Sequence, residues 1–194
     1  MSRFLNANTI ACLSPHPDDC EYAISATISK HLGTMFHVYN ISSGGKYSNN
    51  GNDRLDEVKK FWSSYKNVNL FFVGVEFIRD IQYDTFITKM ENLFPSEYDL
   101  ILSPPIEDTH QDHRKINKLA NSLTRSKKIG LVEYMTPSTK IIEEKRINLF
   151  NSFQTQLDKP YFTDDVFNSY HCNYQTTKRN LDNVEFFKVR SLYQ

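Results

Sequence analysis

The chain has 194 residues, of which 39% are hydrophobic and 24% are charged, as expected for one folded domain spanning residues 1–194. Its 23 basic residues balance 23 acidic residues, which argues against general binding to nucleic acid or to an anionic membrane. No window reaches the roughly 18 apolar residues of a membrane span, and the first residues lack the features of a signal peptide. The cysteines are odd in number, three, so we expect reduced thiols and a cytoplasmic protein.

Strand and helix patterns alternate along most of the chain, which predicts an α/β fold with a mostly parallel sheet. The apolar runs that indicate strands are 9–14, 35–41, 69–74, 99–103 and 128–134. The segments whose apolar spacing indicates helices are 20–30, 52–65, 83–93 and 113–123. A turn-rich loop is expected at 42–51. From residue 139 the pattern predicts a helix to residue 154, an aromatic-rich loop, and a final helix or strand near 183–192.

Two short polar clusters come directly after predicted strands. His16-Pro17-Asp18-Asp19 follows the strand at 9–14, and His110-Gln111-Asp112-His113 follows the strand at 99–103. The carboxyl ends of parallel strands open onto one crevice, where ligands bind. Imidazole and carboxylate groups that meet there can hold a divalent metal ion and leave acid–base groups for catalysis. The sequence therefore predicts a metal-dependent hydrolase.

The spacing within the clusters suggests a division of roles. His16 and Asp19 are three residues apart in a turn and can point into one site. His113 is expected as a third ligand, because catalytic zinc usually takes three protein ligands and keeps a position for water. Asp18 can lie near the metal without binding it and take a proton from water. His110 is then free to act on the substrate.

Asp112 has a supporting role in this interpretation. Its carboxylate can accept a ring N–H from His110 or His113 and so fix the tautomer of that histidine. An ordinary structural role is the alternative for the first cluster, because Asp18 or Asp19 is also a suitable N-cap for the helix that follows. The presence of both clusters after strands favours the metal site.

Four motifs of the chain together carry a family resemblance. His-Pro-Asp-Asp follows the first strand, Arg54-Leu-Asp-Glu57 lies on the helix after the turn-rich loop, and Asp108-Thr-His-Gln-Asp-His-Arg114 follows the fourth strand. The segment from Lys145 to Gln154 adds a fainter match to a late Lys…Ser-Gln helix. In this order, over nearly the whole chain, the motifs resemble the LmbE-like (PIG-L) N-acetylglucosaminyl deacetylase family, and together they are far more specific than either short motif alone.

The resemblance implies a fold, a reaction and a metal. The fold would be a Rossmann-like three-layer sandwich, and the reaction would remove an N-acetyl group from a small-molecule amino sugar or a conjugate of one. His16, Asp19 and His113 match the family's ligands for one zinc ion (Zn2+) per chain, although Fe2+ in the cell suits the same ligands. Asp18 matches the family's general base, and His110 matches its oxyanion-stabilising or acid histidine.

The resemblance also suggests substrate contacts. Arg54 matches an arginine near the family's pocket, and Lys46 and Asp108 are further expected contacts. The chain has Ser25-Ala26-Thr27 where the family has Gly-Gly-Thr, and Ser43-Gly44-Gly45-Lys46 where it often has Gly-Glu. A basic side chain therefore replaces an acidic one in this loop, and sugar recognition there is expected to differ.

Two other functions remain open at this point. A metal-dependent phosphoesterase is one, but such enzymes often use two metals about 3.5–4 Å apart and need more than three ligands. A non-catalytic sugar-binding relative is the other, and the presence of both Asp18 and His110 argues against it. The sequence does not fix the acetylated substrate, and it leaves both a single chain and a homo-oligomer open.

Overall fold

The computed structural model describes residues 7–44, 51–94, 97–134, 136 and 187–191. Its helices and strands alternate along the chain. In order they are β1 (Thr9–Ser14), α1 (Asp19–Lys30), β2 (Met35–Ser42), α2 (Gly51–Trp62), β3 (Val68–Val75), α3 (Tyr83–Leu93), β4 (Leu100–Ser103), α4 (Gln111–Lys127), β5 (Gly130–Tyr134) and β6 (Phe187–Ser191). A short 3-10 turn, Ile78–Asp80, lies between β3 and α3.

These strands form one sheet in the order β3-β2-β1-β4-β5-β6. Strands β1 to β5 run parallel, and β6 pairs with β5 in the antiparallel direction. The chain builds outward from β1 to β3, then returns to place β4 on the other side of β1. The strand order therefore reverses between β1 and β4, which is where a crevice opens at the carboxyl ends of the strands in such sheets.

Helices cover both faces of the sheet, which confirms the three-layer sandwich. On one face of the sheet, residues of α1 and α2 pack against strand residues such as Ile10 and Cys12. On the other face, residues of α3 and α4 pack against the alternate strand residues, among them Ala11 and Leu13. Side chains alternate between faces along a strand, and parallel strands covered on both faces are continuously apolar. The unbroken apolar pattern of β1 follows from this arrangement.

Helix α4 positions the second polar cluster. Its buried residues Ile116, Leu119, Ala120 and Leu123 recur with helical spacing and pack into the core. His110 is its N-cap, and the helix ends where Lys128 takes a left-handed conformation with φ 56°. The helix is longer at both ends than the predicted 113–123. The prediction follows the apolar residues, and the N-cap His110 and the C-cap Lys128 both lie beyond them.

The other predicted elements agree with the structure within a few residues. Helix α3 has its predicted bounds, and α2 ends at Trp62 instead of residue 65. The final segment is a strand, which decides between the two predicted alternatives. The helix expected at 139–154 and the aromatic-rich loop lie outside the described residues.

Candidate active site

The turn after β1 brings the first cluster into one place. Ser14 Oγ accepts the backbone N–H of Cys20 at 3.3 Å and donates to the carbonyl of His16 at 2.8 Å, which ties the end of the strand to the start of α1. The backbone N–H of His16 donates to Asp19 Oδ2 at 2.9 Å. The His16 and Asp19 side chains consequently face the same side of the turn.

The structure brings His16, Asp19 and His113 together. Each offers one ligand atom, and these atoms all lie within 4.8 Å of one another. Asp19 stands between the two rings, with Oδ2 3.4 Å from His16 Nδ1 and Oδ1 3.3 Å from His113 Nε2. Two imidazoles and one carboxylate form a donor set that suits zinc or ferrous iron.

The far side of each ring contacts a second carboxylate. His113 Nδ1 donates to Asp108 Oδ2 at 2.8 Å, and His16 Nε2 donates to Asp112 Oδ2 at 3.1 Å. A histidine that gives one ring N–H to a carboxylate has its tautomer fixed and presents the lone pair of the other nitrogen, which is the usual arrangement around protein metals. The residues present therefore fit a metal ion held by His16, Asp19 and His113.

The electrostatics of two of these residues, Asp19 and His113, agree with this fit. Burial would raise the pKa of Asp19, but the His113 and His16 rings hold it well below its usual range. Burial would lower the pKa of His113, but the carboxylates of Asp19 and Asp108 raise it to about 10. Asp19 is therefore ionised at neutral pH, and a metal that binds His113 has to displace a proton.

Asp18 lies beside the three candidate ligands and has a different environment. Burial, with the neighbouring Asp19 charge adding to it, raises the pKa of Asp18 to about 7, although Arg54 opposes the change. Arg54 Nη2 is 3.7 Å from Asp18 Oδ2, and both side chains are about nine-tenths buried. A carboxyl group that titrates near neutrality can both accept and return a proton at physiological pH.

His110 occupies the exposed side of the cluster. Its ring lies 4.6 Å from that of His113 and 5.2 Å from that of His16, measured between ring centroids. Its Nδ1 accepts the backbone N–H of Asp112 at 3.2 Å, so Nε2 carries the proton of the neutral ring. Burial and the two neighbouring histidines lower the pKa of His110. The neutral ring is thereby kept as a hydrogen-bond donor at the edge of the site.

Comparison with known protein families matches residues 11–124 to the PIG-L family, described as GlcNAc-PI de-N-acetylase. That stretch runs from β1 into α4 and contains both polar clusters. The chain belongs to the PIG-L family. Comparison with curated protein sequences finds no match.

Solved structures share the fold of this PIG-L family protein. An N,N'-diacetylchitobiose deacetylase from Pyrococcus horikoshii has a TM-score of 0.72 at 16% identity, covering 98% of this chain and 86% of that one. The A40926 pseudoaglycone deacetylase has a TM-score of 0.74 at 14% identity, covering 95% and 98%. GalB, a 4-carboxy-2-hydroxymuconate hydratase from Pseudomonas putida, has a TM-score of 0.62 at 14% identity, covering 94% and 95%. One fold thus carries more than one reaction.

Two of the residues expected to contact substrate, Asp108 and Arg54, make hydrogen bonds to protein groups in this PIG-L domain. Both carboxylate oxygens of Asp108 accept from protein groups, Oδ1 from the backbone of His110 and Oδ2 from His113 and Thr136. Asp108 is therefore a partner of a candidate ligand, and its side chain is only 7% exposed. Lys46 lies outside the described residues.

Arg54 is likewise turned toward the protein. Its Nη2 donates to the carbonyl of Pro17 at 2.9 Å, and its Nη1 lies 3.4 Å from the carbonyl of Ser43. Gly44, at φ 90°, leaves room for the guanidinium, because a Cβ at this position would collide with Nη1. The structure places Arg54 beneath the first cluster, where it supports the turn that carries Asp18.

Sequence reasoning assigned the partner of Asp112 differently and did not single out Thr136. The sequence predicts that Asp112 accepts from the ring of His110 or His113, whereas in the structure its carboxylate accepts from His16. Thr136 Oγ1 donates to Asp108 Oδ2. Thr136 follows β5 and so lies at the same end of the sheet as both clusters. This position in the sequence is what could have identified it as a residue near the site.

No helix among the described residues is both long enough and apolar enough to cross a membrane. The finding applies to the longest described helix, α4, as well, because it carries basic and acidic residues along its length.

Proposed function

We propose that this protein is a metal-dependent N-deacetylase that hydrolyses the acetamido group of an amino sugar or an amino-sugar conjugate, with one zinc ion as its metal. The observation that carries the proposal is the cluster of His16, Asp19 and His113, with the buried carboxyl group of Asp18 beside it. Membership of the PIG-L family supports the reaction class. When bound, zinc lowers the pKa of its water to about 7 and polarises a carbonyl group.

The chain's own groups can carry the proton transfers. Asp18 takes a proton from the attacking water as the oxygen adds to the acetyl carbonyl carbon. The Nε2–H of His110 donates to the oxygen on which negative charge develops, a contribution typically worth about 3–4 kcal/mol. Asp18 then gives this proton to the nitrogen as the C–N bond breaks, while the neutral His110 stays a hydrogen-bond donor. The second proton of the water passes from the new carboxylic acid to the amine, so the products are acetate and a protonated amine, and atoms and charge balance.

The phosphoesterase alternative has less support from the structure. The described part of the chain contains a single cluster of three or more His, Cys, Asp or Glu side chains that could hold one metal ion. Its members are His16, Asp19 and His113. Two carboxylates near it, Asp108 and Asp112, are engaged with the ring nitrogens that face away from Asp19. This arrangement suits one metal better than two.

The test is acetate release together with metal content. Wild type and Asp18→Asn are purified, bound zinc is measured, and N-acetylglucosamine, N,N'-diacetylchitobiose and p-nitrophenyl phosphate are supplied as substrates. We expect about one zinc per chain in both proteins and acetate released by wild type. Asp18→Asn keeps the size of the side chain but removes its basicity, so we expect kcat to fall by about 10²–10⁴.

Other outcomes would contradict specific parts of the proposal. Phosphate release without acetate release would favour the phosphoesterase. Equal acetate release by Asp18→Asn would remove Asp18 from its role as base. A wild type that binds zinc but releases acetate from no N-acetylated sugar would indicate another reaction on this fold, of which the hydratase GalB is an example.

A further inference from the structure

We propose that Glu21 is a positioning residue for Asp18, acting by fixing the plane of the peptide that joins Pro17 to Asp18. The inference rests on the proposed role of Asp18 as general base. Glu21 lies in the first turn of α1 and is fully buried. It contacts neither His16 nor His113 in any described hydrogen bond, so a role through Asp18 is separable from a role in holding the metal.

The starting observation is the backbone of Asp18. Its φ is 97° and its ψ is −25°, in the left-handed half of conformational space. A residue with a Cβ avoids this region unless its surroundings impose it, and such conformations cluster at active sites. The conformation sets where the carboxyl group points, so whatever holds it also aims the proposed base.

Both polar atoms of one peptide unit are held by side chains. The N–H of Asp18 donates to Glu21 Oε2 at 3.0 Å. The carbonyl of Pro17, in the same peptide, accepts from Arg54 Nη2 at 2.9 Å. Rotation of this peptide would break both hydrogen bonds at once. Because the peptide plane defines the φ angle of Asp18, the two side chains together hold Asp18 in its unusual conformation.

The second oxygen of Glu21 links this turn to α2. Glu21 Oε1 accepts the indole N–H of Trp62 at 2.5 Å, and Trp62 is 4% exposed. A buried carboxyl group is costly unless hydrogen bonds satisfy it, and here one donor comes from the turn and the other from a neighbouring helix. An apolar residue at this position would leave both N–H groups without an acceptor. Glu21 therefore ties the turn that carries Asp18 to the packed side of α2.

The metal ligands have their own support. His16 and Asp19 are joined by the backbone hydrogen bond of 2.9 Å, and the His16 ring is held by Asp112 on the far side of the crevice. Loss of the Glu21 contact is therefore expected to move Asp18 while the ligands stay in place. This gives the inference a signature that general damage to the fold would not produce.

The main test is the isosteric variant Glu21→Gln. Its amide keeps the volume but sets an NH2 group against either the Asp18 N–H or the Trp62 N–H. We expect kcat to fall by about tenfold or more, KM to stay within about threefold, and bound zinc to remain near one per chain. Trp62→Phe, which removes only the second donor, is expected to lower kcat less. An unchanged kcat in Glu21→Gln, or loss of its zinc, would overturn the inference.

Asn67→Asp provides a matched control for lost stability. Asn67 is buried at the far end of α1, where its side-chain N–H groups donate to the carbonyls of Ile28, His31 and Thr34. Exchanging amide for carboxylate there also disrupts a buried hydrogen-bond network, but away from the site. We expect a lowered Tm with kcat unchanged. A fall in kcat that follows Tm in both variants would show that Glu21 acts only through stability.

Two further measurements separate this inference from the proposed function. In the Asp18→Asn background, Glu21→Gln is expected to have little further effect, because a residue that acts through another is non-additive with it. A crystal structure of metal-free Glu21→Gln tests the geometry without any assay, and we expect Asp18 to leave φ near 97°. Retention of that angle would overturn the inference, whereas a zinc-loaded wild type that releases no acetate would overturn only the proposed function.

Discussion

The loop after β1 and the loop after β4 lead into the two helices that carry Asp19 and His113, and the two loops are built differently. The first is short and buried, and its Asp18 is held by side chains from α1 and α2. The second spans residues 104–110 and leaves Thr109 and His110 exposed. A group that transfers protons has to be held in a fixed position, which suits the buried first loop. A group that contacts the substrate has to be accessible from solvent, which suits the exposed second loop.

The largest difference between the roles of the two loops is expected when the exposed imidazole of His110 in the second loop is removed. His110→Ala deletes the proposed donor to the developing oxyanion, so we expect kcat to fall by about 10²–10³. Bound zinc should remain near one per chain, because His110 is outside the candidate ligand set. The measurements are steady-state kinetics and metal content. Loss of zinc in His110→Ala would contradict the division of roles between the loops.

A smaller effect is expected from the carboxylates behind the two ligand rings. Asp108→Asn and Asp112→Asn form a matched pair, since one supports His113 and the other supports His16. Each should weaken zinc binding by about 10–100-fold. We expect the larger loss for Asp108, whose side chain is 7% exposed against 14% for Asp112. Competition with a chromogenic chelator measures both affinities. An unchanged affinity in both variants would show that these carboxylates do not support the ligands.

The smallest effect is expected at Thr136, which stabilises the second loop from outside. Thr136→Val keeps the shape of the side chain but removes the hydroxyl that donates to Asp108. Loss of one such hydrogen bond should lower the free energy of unfolding by about 0.5–1.5 kcal/mol. Denaturant unfolding measures this change. A Thr136→Ser variant retains the hydroxyl and should recover most of the loss, and failure to recover it would assign the effect to packing.

The sequence was sufficient to predict the strand and helix order and the convergence of His16, Asp19 and His113. The strand ends are readable from apolar runs bounded by polar clusters, and parallel strands then bring those ends together. The pairing of His16 with Asp112 was not predictable, since these residues are 96 positions apart and meet only across the crevice.

The hydrogen bonds of Arg54 are also not predictable from the sequence. An arginine on a helix near a candidate pocket is equally compatible with substrate binding and with support of the backbone. Its contacts with Pro17 and Ser43 depend on how α2 packs beside the first loop, and on a glycine at residue 44 that leaves it room. Local spacing does not contain that information. The positive φ of Asp18 is hidden for the same reason, because tertiary contacts impose it.

The central claim is that the loop after β1 and the first turns of α1 and α4 meet around one metal ion. Anomalous diffraction at the zinc absorption edge, on crystals of the wild-type protein grown with zinc, tests it most directly. The account predicts one strong peak bordered by His16 Nδ1, the Asp19 carboxylate and His113 Nε2. A peak elsewhere in the crevice, or no peak between these atoms at saturating zinc, would contradict it.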